Sequence, residues 1–133
     1  MQVRLSSGRS GSTPLWLQEG TARYVEFGVA GDYGYTDYGR RRATEVRLSR
    51  SLENLQAYEA QGGATFRGES GGAYVLGFLA SEYLETFKGR QAVQRDFWTA
   101  LRTGADWRAA FMTVFGVSVD QFYADFEAYR QTL

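Results

Sequence analysis

The stretch P-L-W-L-Q-E-G-T-A-R-Y-V-E, residues 14–26, begins like a buried helix and then places a carboxylate and a glycine inside it. Thr13 can cap a helix, and Pro14 suits a first helical turn. The apolar residues that follow recur at helical spacing and predict a helix of roughly four turns. These apolar residues are Leu15, Trp16, Ala22, Val25 and Phe27. Glu19 and Gly20 interrupt this apolar pattern. A carboxylate and a glycine at these positions can belong to a functional site as well as to the packing of the helix.

The rest of the chain also shows mostly helical patterns, several of them followed by glycine, a common helix stop. A short helix capped by Ser49 or Ser51 is predicted, and the pair Ser118 and Gln121 forms a capping box for a last helix. Helices are predicted at residues 52–58, 73–88, 91–103, 106–115 and after 118; Gly-rich loops at 28–42 and 61–72; and the pattern near 44–48 allows one short strand. The prediction is a mostly α protein, with a flexible lead-in at residues 1–12 and a single helical domain at 13–133.

Composition excludes several classes of site. The 133 residues include no histidine and no cysteine. One copy of the chain therefore has no Ser-His-Asp triad, no histidine-ligated or thiolate-ligated metal and no disulfide. The 15 basic and 15 acidic residues balance, so global charge predicts no nucleic-acid partner. No apolar run reaches the length of a membrane span.

Two carboxylates share one face of the first predicted helix. Glu19 and Glu26 are seven residues apart, about two turns. Beside Glu19, Gly20 permits the close approach of another backbone. This spacing is compatible with a metal ligand and a supporting carboxylate. Spacing alone favours two solvated glutamates and a glycine that packs against a neighbouring helix, because charged residues on helices usually face solvent.

The pattern W-L-x-E-G-x-A-x-Y-x-E at residues 16–26 resembles the third-ligand helix of the gluzincin zinc metallopeptidases. This group includes the M1 aminopeptidases and the peptidase MA-like domains. In these enzymes HExxH supplies two histidine ligands and the general base, and a downstream glutamate completes the zinc site. The resemblance implies that Glu19 is the third zinc ligand. It also implies that Glu26 supports the site from outside the coordination sphere.

A second match follows in G-G-A-Y-V-L-G-F-L, residues 71–79. This stretch resembles the family's Y-x-x-G at the start of a helix, where the tyrosine hydroxyl stabilises the tetrahedral oxyanion. The resemblance implies this role for Tyr74, with Gly77 beside it. The later segment W-x-x-A-F-x-x-x-F-G-V-S-x-x-x-F, residues 107–122, is similar to the helical end of MA-like domains. The resemblance covers roughly residues 13–130.

One departure separates this chain from the family pattern, because without histidine there is no HExxH. We therefore expect the helical C-terminal part of a zincin-like domain, inactive alone. It would be either half of a longer peptidase or a short protein that has lost the chemistry. The resemblance implies zinc and a peptide or protein substrate for the complete domain, and no zinc bound by this chain alone. The alternative is a non-catalytic module that binds peptides or a partner.

The loop D-Y-G-Y-T-D-Y-G-R-R-R, residues 32–42, concentrates tyrosine and arginine. Tyr33, Tyr35, Tyr38 and Arg40 are candidates for a cleft rim that grips a peptide. An exposed, mobile insertion has the same composition. The two aspartates of the loop do not have the spacing of an EF-hand.

Both interpretations of the chain, the part of a peptidase and the non-catalytic module, predict self-association. Without an upstream helix, apolar surface that such a helix would cover is exposed, and a homo-oligomer hides it. Analytical ultracentrifugation at micromolar concentration should show a species larger than one chain. A single monomeric boundary would contradict this expectation.

Overall fold

The structure is a computed structural model that describes residues 13–59 and 66–133. Six α-helices account for most of these residues: α1 (Leu15–Asp32), α2 (Tyr38–Ser49), α3 (Phe66–Lys88), α4 (Phe97–Arg102), α5 (Trp107–Phe115) and α6 (Val119–Arg130). A 3₁₀ turn at Leu55–Tyr58 and a π-helical turn at Ala92–Asp96 complete the regular structure. The mostly helical prediction is confirmed. The lead-in predicted for residues 1–12 lies outside the described residues.

The first predicted loop is much shorter than expected. Of residues 28–42, only 33–37 connect helices, because α1 continues through its glycines to Asp32. Gly34 has a φ of 76°, a conformation that favours glycine. Asp37 then caps α2 by accepting a hydrogen bond from the Arg40 backbone N–H at 3.2 Å. The strand allowed near residues 44–48 is wrong, since those residues lie inside α2.

Three of the predicted helix starts were also wrong. Pro14, in extended conformation, stands at the cap position of α1, and no side chain caps that helix. The buried Thr13 hydroxyl has no hydrogen-bond partner in the structure. Ser49 belongs to the last turn of α2, and Asn54 caps the 3₁₀ turn. Helix α3 begins at Phe66, within the second predicted loop; the rest of that loop, residues 61–65, lies outside the described residues.

The C-terminal helices follow the sequence signals closely. Gly89, Gly104 and Gly116 end helical segments with positive φ values of 89°, 100° and 75°. The Ser118 hydroxyl accepts a hydrogen bond from the Gln121 N–H at 3.1 Å, which is half of the predicted capping box. The helix predicted at 91–103 contains the π-helical turn, which spacing alone did not indicate.

Helices α1 and α3 meet through two glycines. A Cβ built on Gly77 would lie 2.8 Å from the Gly20 Cα and 3.0 Å from the Trp16 carbonyl carbon. A Cβ built on Gly20 would collide with the Gly77 backbone. No real Cβ tolerates such separations, so only glycine permits this crossing. The packing reading of Gly20 is therefore confirmed.

Aromatic side chains fill the space between α1, α3 and the C-terminal helices. Trp16 stacks on Phe122 with ring centroids 6.1 Å apart, and Phe122 stacks on Phe126 at 5.9 Å. All three tryptophans are buried in the hydrophobic core. Such rings bury large apolar areas, and their burial stabilises the fold. In the described part of the chain, no helix has the length and apolar character needed to cross a membrane.

Arg130 ties the last helix to the end of α2. Its side chain is 8% exposed and forms an ion pair with Glu127 at 3.0 Å. The guanidinium also donates hydrogen bonds to the backbone carbonyls of Ser49 and Leu52. A cation beside the last carbonyls of a helix satisfies acceptors that the helix itself leaves unpaired.

Gly20→Ala should destabilise the fold by about 1–3 kcal/mol, because its methyl group must push α1 and α3 apart. Gly28→Ala is the matched control, since a Cβ there meets nothing within 4 Å. That control should leave stability unchanged or raise it by up to about 1 kcal/mol through helix propensity. Urea denaturation of both variants measures the difference. Equal stability of the two would contradict the close crossing.

Candidate functional site

Glu19 and Tyr74 lie beside the helix crossing. Glu19 adjoins Gly20 on α1, and Tyr74 lies one turn before Gly77 on α3. Glu19 and Tyr74 are neighbours in the fold, close enough for the carboxylate to act on the tyrosine hydroxyl. Both side chains are partly exposed. The structure thus brings together two residues that the sequence separates by more than fifty positions.

The surroundings of Tyr74 favour its neutral form. Burial raises the pKa of the Tyr74 hydroxyl above its ordinary value, and the charge of Glu19 and the hydrogen bond to it raise that pKa further. Arg23 opposes the shift by its positive charge. At neutral pH the hydroxyl therefore keeps its proton and remains a hydrogen-bond donor.

Arg23 and Glu45 complete the surroundings of this pair. The Arg23 guanidinium lies 5.9 Å from the centre of the Tyr74 ring and 5.1 Å from that of Phe27. It donates a hydrogen bond of 2.5 Å to Glu45, a residue only 2% exposed. Sequence reasoning missed both residues. Arg23 lies one turn after Glu19 on α1, so helical spacing could have predicted it. Glu45 belongs to α2 and meets Arg23 only through a tertiary contact, which helical spacing does not indicate.

A hydrogen-bond network anchors the motif helix. The Trp16 indole N–H donates to the Tyr123 hydroxyl at 3.2 Å, and that hydroxyl donates to Glu59 at 2.7 Å. Arg108 donates to both oxygens of Glu59, at 2.8 and 2.7 Å. The first residue of the W-L-x-E-G motif is thereby fixed to α6, which sets the position of α1 and of Glu19.

The other predicted site residues are dispersed. Glu26 is exposed and lies two turns from Glu19 on α1. Tyr33 and Tyr35 are 72% and 82% exposed and stack on each other with centroids 6.0 Å apart. Tyr38 turns inward and donates a hydrogen bond to Glu82 at 2.7 Å, while Arg40 is exposed in the first turn of α2.

Glu19 is not part of a cluster of three metal-ligating side chains among the residues that the structure describes. A catalytic zinc ion has three protein ligands, commonly histidine with carboxylate. The chain has no histidine or cysteine. Within residues 13–59 and 66–133, no three acidic side chains converge as metal ligands would. Glu19 alone offers one carboxylate at the position that the resemblance implies.

The Glu19–Tyr74 contact is tested by titration of the Tyr74 hydroxyl. Glu19→Gln should lower its pKa, because the charge and the charged acceptor disappear, while burial still holds it above about 10. Glu26→Gln should leave it unchanged. NMR of ¹³C-tyrosine-labelled protein, assigned with Tyr74→Phe, measures both. Because the folded pKa is the higher one, stability from this hydroxyl is present below pH 10 and lost as pH rises through the folded value. Equal titration curves in the two glutamine variants would contradict the contact.

Comparison with known proteins found no relative of this chain. The chain matches no family model, and no match was found among curated proteins or among solved structures. The interpretation of Glu19 and Tyr74 therefore rests on the two sequence motifs and on the contact between their central residues.

Proposed function

We propose that this chain is the helical C-terminal part, or a remnant, of a gluzincin-type zinc peptidase domain that hydrolyses peptide bonds when complete. One observation carries the proposal. The carboxylate of Glu19, from W-L-x-E-G, lies near the hydroxyl of Tyr74, from Y-x-x-G, and raises its pKa, beside a helix crossing that two glycines make possible. The two motifs come from one family resemblance and lie far apart along the sequence, and their proximity in space is what a shared site requires.

In this proposal, Tyr74 stabilises the negative oxygen that develops when a peptide carbonyl is attacked. An oxyanion donor must keep its proton and must stand ready before the reaction. The raised pKa of Tyr74 meets the first condition. Its place on α3, one turn from the fixed crossing at Gly77, meets the second.

Glu19 supplies a single carboxylate to the same site. Arg23, the nearest cation along this face of α1, directs its guanidinium to Glu45 at 2.5 Å. Zinc and its two histidine ligands would have to come with a HExxH segment, because this chain contains no histidine.

The proposal is tested by reading the gene in frame upstream of the Met1 codon and expressing the extended protein. An upstream HExxH should give bound zinc, measured by atomic emission, and cleavage of a quenched fluorescent peptide library. Glu19→Gln should then remove zinc. Tyr74→Phe should keep zinc and lower the rate by about 10²–10³, the usual effect of losing one oxyanion donor. Glu53→Gln, at an exposed position, is the control and should change neither.

The chain by itself should hydrolyse no peptide, with or without added zinc. An extended protein that carries HExxH but binds no zinc would contradict the proposal, as would zinc binding that survives Glu19→Gln. Peptide binding by the chain alone, unaffected by chelator, would favour the alternative of a non-catalytic interaction module.

A further inference from the structure

Helix α2 and the residue that follows it carry a concentration of positive charge. Five of the 15 basic residues of the chain lie in this segment: Arg40, Arg41, Arg42, Arg47 and Arg50. The same range holds one acidic residue, Glu45, which is buried. The even charge balance of the whole chain therefore conceals a basic segment, and electrostatic attraction depends on such local segregation as well as on net charge.

Most of this positive charge has no carboxylate beside it. Arg42 donates a hydrogen bond to Glu82 at 2.7 Å, and Glu45 forms its ion pair with Arg23 of α1. The other four arginines are exposed and form no ion pair within the part of the chain that the structure describes. We call these four the arginine row: Arg40, Arg41, Arg47 and Arg50.

The arginine row follows the exposed side of α2. Arg40 and Arg47 are seven residues apart, so they share one face and lie about 10 Å apart along the helix axis. Arg41 and Arg50 lie on the two sides of this face. A guanidinium group can bind a phosphate through two N–H groups at once. A row of such groups suits a chain of phosphates better than one isolated anion.

Two exposed tyrosines adjoin the arginine row. Tyr33 and Tyr35 are 72% and 82% exposed, and their rings stack on each other with centroids 6.0 Å apart. The Nε of Arg41 donates a hydrogen bond of 3.1 Å to the hydroxyl of Thr36, which directly follows Tyr35. Exposed aromatic faces beside positive charge are the surfaces on which unpaired bases stack in single-stranded nucleic-acid sites.

Two carboxylates near the tyrosines reduce the positive charge without cancelling it. Asp32 directly precedes Tyr33, and Asp37 caps α2 by accepting a hydrogen bond from the Arg40 backbone N–H. The four guanidinium groups of the arginine row outnumber these two carboxylates. Because the excess positive charge lies on α2, we expect phosphates to bind there and bases to bind at the tyrosines.

The surface of α2 favours a nucleic acid over a lipid bilayer. A helix that binds at a membrane surface inserts an apolar face into the lipid. In α2, Val46 is only 8% exposed and belongs to the core, which leaves Leu48, at 47%, as the one large apolar side chain exposed on this helix. A duplex suits the surface less well than a single strand, because its paired bases offer no free face to the tyrosines.

We propose that the arginine row and the Tyr33–Tyr35 pair together bind single-stranded nucleic acid. The arginines contact the phosphates, and the tyrosine rings stack on one or two bases. This surface does not use Glu19 or Tyr74, so the inference is independent of the peptidase proposal and stands if that proposal fails.

Fluorescence anisotropy of a fluorescein-labelled oligothymidylate of about 12 nucleotides, titrated with the full chain, tests the inference. Binding should weaken with salt, and the slope of log affinity against log salt should be about −3, since each of four phosphate contacts contributes about −0.7. A duplex of the same length should bind more weakly. Absence of binding at about 10⁻⁴ M protein in about 50 mM salt, or equal affinity for the duplex, would overturn the proposal.

A pair of arginine variants tests the role of α2. Arg40→Gln combined with Arg47→Gln should weaken binding and bring the salt slope about 1.4 closer to zero, because two phosphate contacts are lost. The matched control combines Arg95→Gln with Arg102→Gln, which removes the same charge from exposed positions outside α2. The control should bind with the original affinity and slope. Equal weakening in both double variants would show a general effect of charge and overturn the assignment.

A pair of tyrosine variants tests the stacking. Tyr33→Ala combined with Tyr35→Ala should fold, because both side chains are exposed, and should weaken binding about tenfold through lost base stacking. Tyr33→Phe combined with Tyr35→Phe keeps the rings and should bind normally. Unchanged binding by the alanine variant, or equal loss in the phenylalanine variant, would overturn the stacking role.

Competition distinguishes the nucleic acid from other anionic partners. Polyglutamate and vesicles that contain phosphatidylserine present negative charge without bases, so neither should displace the oligonucleotide at an equal concentration of charge. Displacement by polyglutamate would assign the surface to an acidic protein segment, and displacement by the vesicles would assign it to lipid. Either result would overturn the proposal.

Discussion

The backbone contact between Gly20 and Gly77 is the constraint on which the other features depend. It brings α1 and α3 closer than side chains normally allow. At that separation Glu19, the residue before Gly20, and Tyr74, one turn before Gly77, come close enough for the carboxylate to act on the hydroxyl. The same crossing holds further parts of the two helices side by side, where residues of both helices line a cavity of about 750 Å³. One steric condition therefore positions two different chemical environments.

The crossing is held from outside by the C-terminal helices. Trp16, one turn before Gly20, is fully buried and packs on Phe122 while its N–H binds Tyr123. Dispersion and hydrogen bonding thus act on the same indole ring. The Tyr123 hydroxyl in turn donates a hydrogen bond to Glu59, in the segment between α2 and α3, and so links this segment to α6. Aromatic side chains from distant segments of the chain thus hold α1 in place.

Local signals predicted much of this fold, and tertiary contacts decided the rest. Helical spacing and glycine stops located the helices after residue 73, because those cues act within a turn or two. Gly28 was misleading, since a glycine in a helix is tolerated when neighbouring turns pack well, and α1 runs through it. For the site, the motif indicated Glu19 and Tyr74, but Glu45 was out of reach. Its burial depends on α2 folding back on Arg23, which no local pattern records.

Contacts that join the two ends of the sequence have a consequence for synthesis. Trp16 binds Tyr123 across 107 positions, and Arg130 binds the carbonyl of Ser49 across 81. Contacts of such separation form late, because long loops must close first. On the ribosome, α1 to α5 emerge with the apolar face of Trp16 still uncovered, and the fold closes only when α6 leaves the tunnel. Until α6 has formed, the apolar face of Trp16 is therefore open to aggregation.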